Sequence, residues 1–530
     1  VAGFKIKESI PGSPVYQIDG GIKKIQRALY FIENNYVEKP NHEELIQDAV
    51  EGIMDNLDPH SAYIPPRDLS QMSEQMEGGF DGIGVQFNIL EDTIYVETPL
   101  AGGPSEEIGI MAGDRIVKVD GKNVAGINIS TTDVMRHLKG PKGSKVDLAI
   151  KRRGHKGLLE FTVTRDRIPL NSVDYAYMIS PQTGYIGITR FAETTYDEFN
   201  EALTRLQQEG MKKLVLDLRG NPGGYMTKAY RIADEFLPSG KIIVSTEGRI
   251  PESKNEYYAT SALSKFEEGA LIVLLDYGSA SASEIVAGAV QDHDRGLIVG
   301  IRSFGKGLVQ IQENFEDGSA IRVVIAKYYT PSGRCIQKPY HKSDEEYQND
   351  LIDRYESGEF FDESKISFPD SLKYKTSSGR TVYGGGGIYP DVFVPNDTTG
   401  GSRYLTELRV NQIFWRFAVE FVDTHPQMVN QYPDARTFVN NFDISSRMMM
   451  DFIKFAEEKE VPYNSGQAAH SRAIILNNLK AFIGRRLFND DGFYPVIHQR
   501  DRTLQRALEL LPMAEELEEN GRVKDQKAVK

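Results

Sequence analysis

Apolar positions from Ile22 to Leu57 recur at helical spacing in two runs broken at Lys39-Pro40-Asn41, which predicts a helical hairpin. The Asp58-Pro59-His60-Ser61 stretch that follows reads as a turn. A histidine beside an acid is also a catalytic pattern, but Asp-Pro is common turn chemistry. Between Gly79 and Thr164 the spacing changes to alternation: VQFNIL, TIYVETPL, DRIVKVDG, KVDLAIKR and LLEFTVTR predict short strands, with one helical run from Thr131 to Leu138. Tyr185 to Phe191, Tyr196 to Glu209 and Lys213 to Leu218 then read as strand, helix, strand, which implies a parallel pair. Leu271 to Leu275 and Leu297 to Gly300 are unbroken apolar runs that predict buried strands, and Ile285 to Val290 between them predicts a buried helix. Lys342 to Asp370, carrying SDEEYQND and GEFFDESK, reads as an exposed acidic excursion. Its spacing lacks the pattern of a calcium loop, so no metal is expected there. Tyr404 to Leu511 is helical in pattern throughout; its Met448-Met449-Met450 cluster suits either core filling or an adaptable surface. Asn520 to Lys530 reads as a frayed end.

At 530 residues the chain exceeds one ordinary core and suggests three or four domains. With 40% hydrophobic and 26% charged residues it has a globular composition, and no apolar run approaches the ~18 residues of a membrane span. Val1 to Pro14 lacks the charged-then-apolar secretory pattern, which fits an intracellular chain or one whose signal has been removed. Cys335 stands alone, so no intrachain disulfide forms. A net charge of −14 argues against a nucleic-acid partner, and the Lys151-Arg152-Arg153 run reads as a solvated hairpin end.

The candidate chemistry centres on GSASASEI. Ser281 lies at the start of the predicted buried helix, where unpaired N–H groups and the positive end of the macrodipole suit a developing oxyanion. Ser281 and Glu284 also fit an S-x-x-E capping box, in which the serine only caps the helix. His293 sits twelve positions along the same helix, ~18 Å away at the helical rise, and cannot serve as its base. Lys306 lies in Ser303-Phe304-Gly305-Lys306-Gly307, a loop whose glycines allow a tight turn back to the helix start. A lysine acts as general base only when neutral, which burial against Phe304, Leu308 and Val309 would favour; the Gln310 amide is placed to orient it. Arg219-Gly220-Asn221-Pro222-Gly223-Gly224, directly after a strand, suits a phosphate or a tight turn, but no G-K-[ST] follows and a P-loop is not expected. Gly82-Ile83-Gly84-Val85 before a strand could present N–H groups to a peptide carboxylate or simply make a turn.

GSASASEI, FGKG and Gln310 resemble the active-site signature of the carboxy-terminal processing (tail-specific) proteases. The resemblance, which extends from about Ile22 to Pro395, implies a Ser281 nucleophile, a Lys306 base twenty-five positions on, and a lysine-orienting Gln310. LDLRGNPGG is similar to that family's own string and implies that Gly224 and Ala282 supply the oxyanion N–H groups. Gly109 to Gly121 resembles part of a PDZ domain of the permuted bacterial type, with Gly82, Ile83, Gly84 and Val85 as carboxylate loop. The expected architecture is multidomain α+β: an N-terminal helical region (1–77), a PDZ domain (78–166), a crotonase-like α/β protease core (167–400) and a C-terminal helical domain (401–530). The implied activity is a serine endopeptidase acting near substrate C-termini without cofactor or metal. Its implied partners are protein or peptide C-termini and a second copy through the N-terminal helices, and its implied location is the periplasm or cell envelope. An inactive protease-like PDZ scaffold and a crotonase-like acyl-CoA enzyme are the rival readings. Nucleophile, base and both oxyanion positions argue against the first, and the PDZ-like insertion with the Ser-Lys pair against the second.

Overall fold

The computed structural model describes residues 14–100, 102–260, 264–340 and 344–520. They form two compact units, and the expected frayed end beyond Asn520 lies outside the described residues. The first unit comprises the described residues up to Leu69, Gln310–Ile325 and the described residues between Tyr340 and Tyr347. Its helices Pro14–Asn35 and His42–Met54 are separated where the sequence breaks. Pro40 cannot continue a helix, and the Asn41 side chain accepts the Glu44 N–H to cap the next one. The Asp58 carboxylate then accepts the N–H groups of His60 (2.8 Å) and Ser61 (2.9 Å) and the Ser61 hydroxyl (2.7 Å), closing the turn. His60 has a structural role: its Nε2 lies 2.7 Å from the Tyr347 hydroxyl, and its ring meets Tyr340 and Tyr347 edge-on. The strand Ala62–Ile64 pairs antiparallel with Ala320 to Arg322.

The second unit is built on a six-stranded sheet in the order Val173–Ser180, Thr183–Ile188, Lys213–Asp217, Leu271–Leu275, Leu297–Gly300, Val392–Phe393. The first pair is antiparallel and the rest are parallel. Strands covered on both faces have no polar side to alternate with, which is why LIVLL is apolar at every position. One face packs on the helices Thr195–Gln208, Met226–Asp234 and Ala282–Asp292. The other is covered by Leu504, Ala507, Leu511 and Leu517 of the chain's last helix, Arg502–Asn520. The remaining C-terminal helices enclose their own core, with Met449 inside it, Met448 packed against it and Met450 exposed.

A second sheet, with Val85–Leu90 at its edge, holds the predicted PDZ strands, and Thr131–Leu138 is the predicted helix. The basic run is not wholly solvated: Arg152 donates to the buried Asp114 at 2.7 Å, because an arginine fork can satisfy a buried carboxylate. The acidic stretch 342–370 departs further from expectation. Its Arg354, Glu359 and Phe360 are buried. A run of charges reads as solvated until the partners that neutralise it are known. Among the described residues no helix is long and apolar enough to cross a membrane.

Candidate active site

Ser281 stands between the strand Leu271–Leu275 and the helix Ala282–Asp292 with φ 54° and ψ −110°. An ordinary N-cap is extended, so capping does not explain this conformation. For a non-glycine residue it costs on the order of 1–3 kcal/mol and persists only where surroundings enforce it. Glu284 supplies part of that enforcement by accepting the Ser281 N–H at 2.8 Å. The same fully buried carboxylate accepts the Ser303 hydroxyl (2.5 Å) and the N–H groups of Gly305 (2.8 Å) and Lys306 (2.9 Å). Burial pushes the Glu284 carboxyl up, and these hydrogen bonds pull it back. Buried Tyr328 ties the same two residues from the other side: its hydroxyl lies 2.9 Å from the Ser281 carbonyl oxygen and 2.7 Å from that of Lys306. Burial, then the Glu284 charge, hold that hydroxyl far above the usual tyrosine range, so it stays a donor. Two residues therefore bring the backbones of half-buried Ser281 and Lys306 together.

The glycine-rich loop after Lys213–Asp217 packs on this turn. A Cβ on Gly223 would stand 2.7 Å from Ser281 Cβ and 3.0 Å from the Ala282 nitrogen, an approach that only glycine permits. Buried Asn221 fixes the loop: its Oδ1 accepts the Gly223 N–H (2.8 Å) and its carbonyl accepts the Ala280 N–H (2.9 Å) and the Ser283 hydroxyl (3.0 Å). Among the described residues the N–H groups of Gly224 and Ala282 donate to no acceptor, as anion-binding donors must. The loop's root is anchored by Asp217, which accepts from Tyr185 (2.6 Å), Tyr175 (3.0 Å) and Arg219 (2.6 Å). Arg219 also donates to Asp501 just before the last helix, at 2.6 Å. Burial alone would raise Asp217, but the Arg219 charge holds it below the usual carboxylate range.

His293, Gln310 and Gly82 to Val85 were also singled out in the sequence. His293 caps the far end of the Ala282–Asp292 helix, its Nε2 2.7 Å from the Ile242 carbonyl oxygen, and burial lowers its pKa. Gln310 belongs to the first unit, where its Nε2 donates to the His60 carbonyl at 2.6 Å. Ile83, Gly84 and Val85, but not Gly82, line a groove of about 630 Å³ between the edge strand Val85–Leu90 and the helix Thr131–Leu138, with Gln71 and Glu74 of the helix Pro66–Glu77 beside it. The N–H groups of Ile83 and Gly84 have no acceptor among the described residues, and Lys139 in the groove pairs with Glu74. The site residues missed from sequence were Asn221, Tyr328 and Glu284 beyond its capping role. Glu284 had a signal, a carboxylate in a helix whose every residue is buried; Tyr328 had none.

Residues 182–347 match peptidase family S41, residues 95–152 a PDZ domain, and residues 7–66 the N-terminal domain of the activating protease CtpB. Residues 404–489 match a family of unknown function. A carboxy-terminal-processing protease of Bartonella bacilliformis is 37% identical over 310 residues, 58% of this chain and 70% of that one. The chain belongs to the carboxy-terminal processing protease family. The carboxy-terminal processing protease CtpA of Bacillus subtilis is 34% identical over 326 residues, 60% of this chain and 67% of that one. A solved photosystem II D1 C-terminal processing protease is 29% identical, covering 59% of this chain and 89% of its own, with a TM-score of 0.33. The chain is accordingly a serine-type peptidase carrying a PDZ domain.

Proposed function

We propose that this peptidase cleaves protein substrates near their C-termini through a Ser281-Lys306 dyad. The observation that carries the reading is the enforced left-handed Ser281 whose backbone shares both of its clamps with Lys306. Ser281 Oγ bonds the scissile carbonyl carbon while its proton passes to neutral Lys306 Nζ. The N–H groups of Gly224 and Ala282 hold the resulting oxyanion. Collapse breaks the C–N bond, and the Lys306 ammonium returns the proton to the leaving amine. Water then releases the acyl group by the same transfers in reverse. Activity rises with pH as the neutral fraction of Lys306 grows, and a Gln310→Ala variant shifts that rise if Gln310 orients the lysine. Mass spectrometry of an unstructured protein incubated with the wild-type chain gives fragments, and with Ser281→Ala gives none. Fragments from neither would leave an inactive PDZ scaffold as the reading.

The open edge strand and the unpaired N–H groups of Ile83 and Gly84 support capture of a substrate's terminal carboxylate by strand addition. Both ends of the PDZ segment run into structured elements, so a bound tail acts on more than tethering. A free-carboxylate peptide should stimulate cleavage of a short reporter by about 5- to 150-fold, the span of a typical 1–3 kcal/mol coupling. Its carboxamide, or bulky residues at Gly82 and Gly84, should remove the stimulation; unchanged turnover in every arm would make the domain a tether only.

The N-terminal hairpin supports a homodimer. Tyr30 and Phe31 are 69% and 66% exposed, alongside exposed Ile22 and Ile25 on the same helix, and Val37 just past its end is 88% exposed. Light scattering should give a dimer for the full chain and a monomer for Ile25→Glu/Phe31→Glu; a monomer in both refutes the contact. The family resemblance further supports an envelope location, which cell fractionation tests directly.

A further inference from the structure

The lysine loop has no regular structure between Gly300 and Leu308, so each of its backbone groups needs a partner from elsewhere. Its N–H groups go to the protease core. Ser303 donates to the Ile388 carbonyl (3.1 Å), Phe304 to that of Ser279 (2.9 Å), Gly305 and Lys306 to Glu284, and Gly307 to Gln337 Oε1 (2.9 Å). Among the described residues, two of its carbonyls are met only from the acidic stretch. Arg354 donates to the Arg302 carbonyl at 2.8 Å and the Ser303 carbonyl at 3.1 Å. Its third arm goes to Glu359 at 2.8 Å, and Glu359 in turn accepts both Nε and Nη2 of Arg302 at 2.7 Å. Burial lowers Arg354 to about 10, and both its carboxylate and its carbonyl partners are needed to hold a charge there.

Arg354 lies on the helix Asp344–Glu356, which makes a second contact one turn earlier. Asp350, four residues before Arg354 and so on the same face, accepts from Lys338 at 3.0 Å. Lys338 lies 4.1 Å from the centroid of the Phe304 ring, and its N–H donates to the Gly305 carbonyl. Past the helix, Phe360 stacks on Tyr277 at 5.0 Å, four residues before Ser281. One short segment therefore touches the approaches to both members of the dyad.

We propose that residues 348–361 brace the catalytic loop, with Arg354 as a positioning residue that sets where Lys306 stands relative to Ser281. This rests on the Ser-Lys reading given above. Arg354 touches no reacting atom and acts through the two carbonyls it holds. Their loss leaves the loop with two unpaired acceptors, and the loop relaxes to find water.

The test uses the full chain, a short peptide reporter, and a fluorescent free-carboxylate peptide for the PDZ groove. Arg354→Met keeps the length of the side chain and removes its donors. It should lower kcat by about 10- to 100-fold, in line with an ångström-scale misplacement, while leaving KM and the Kd for the tail peptide within about twofold. Arg354→Lys should recover part of the loss, because it can reach one carbonyl but not two and a carboxylate. The pH at which activity rises should shift in Arg354→Met and return towards wild type in Arg354→Lys. Should Arg354→Met fail to fold, Asp350→Asn, at the partly exposed end of the brace, should still lower kcat about threefold or more with KM unchanged. Wild-type kcat and an unmoved pH profile in a folded Arg354→Met, or in Asp350→Asn, would overturn the brace. Retained activity in Ser281→Ala would instead overturn the dyad beneath it.

Discussion

Ser281→Ala and Lys306→Ala each lower reporter turnover by about 10⁴-fold or more, and the double variant loses no more than either alone. Groups that act on one bond as a unit are not additive, and the residual rate belongs to the oxyanion donors and substrate binding. Both variants should keep the fold, since Glu284 and Tyr328 hold the helix start through backbone groups of Ser281 that neither substitution removes. His293→Ala is the control. Its imidazole bonds the Ile242 carbonyl oxygen at the opposite end of the helix, so the variant should lose some thermal stability and retain kcat. An inactive His293→Ala beside an active Lys306→Ala would reverse the assignment.

Glu284→Gln should lower kcat by about 100-fold with little change in KM, and should lower the melting temperature as well. The carboxylate accepts from Ser281, Ser303, Gly305 and Lys306, and an amide replaces one accepting oxygen with a donor that faces donors. Each N–H left unpaired in a buried site costs about 1–3 kcal/mol, and the freed loop misplaces Lys306 by a distance that costs about 100-fold. The same geometry fixes a pH effect. Burial raises the Glu284 pKa, so on acidification this group takes up a proton at a higher pH than an ordinary glutamate. Its protonated form cannot accept from all the donors, and wild-type activity should therefore fall reversibly on the acid side. Steady-state kinetics across pH, with melting curves at each point, check both claims. A Glu284→Gln enzyme with unchanged kcat would mean that the carboxylate only caps its helix.

Much of this was legible along the chain because it depends on local rules. Leu271 to Leu275, Lys213 to Leu218 and the Thr131–Leu138 helix follow from periodicity, and their observed ends differ from the expected ones by a residue or less. Pro40 with Asn41 and the Asp58 turn are carried by the covalent chemistry of those few residues. Spacing and resemblance together led to Ser281, Lys306, Gly224 and Ala282. What the sequence could not yield is everything that depends on pairing at a distance. The acidic stretch 342–370 looks solvated because its carboxylates are written next to one another, whereas Glu359 is neutralised by Arg302 and Arg354. Arg219 gives no sign that its partner, Asp501, lies 282 positions away, nor does the last helix show which sheet face it covers. Sequence by itself determined the elements and supplied the candidate reactive groups, since helical and strand periods and side-chain chemistry are local properties. Tertiary structure alone decided the left-handed Ser281, the shared clamps of Glu284 and Tyr328, and the brace on the lysine loop. Each of these is a buried polar group finding its partner, and burial exists only once the chain has folded.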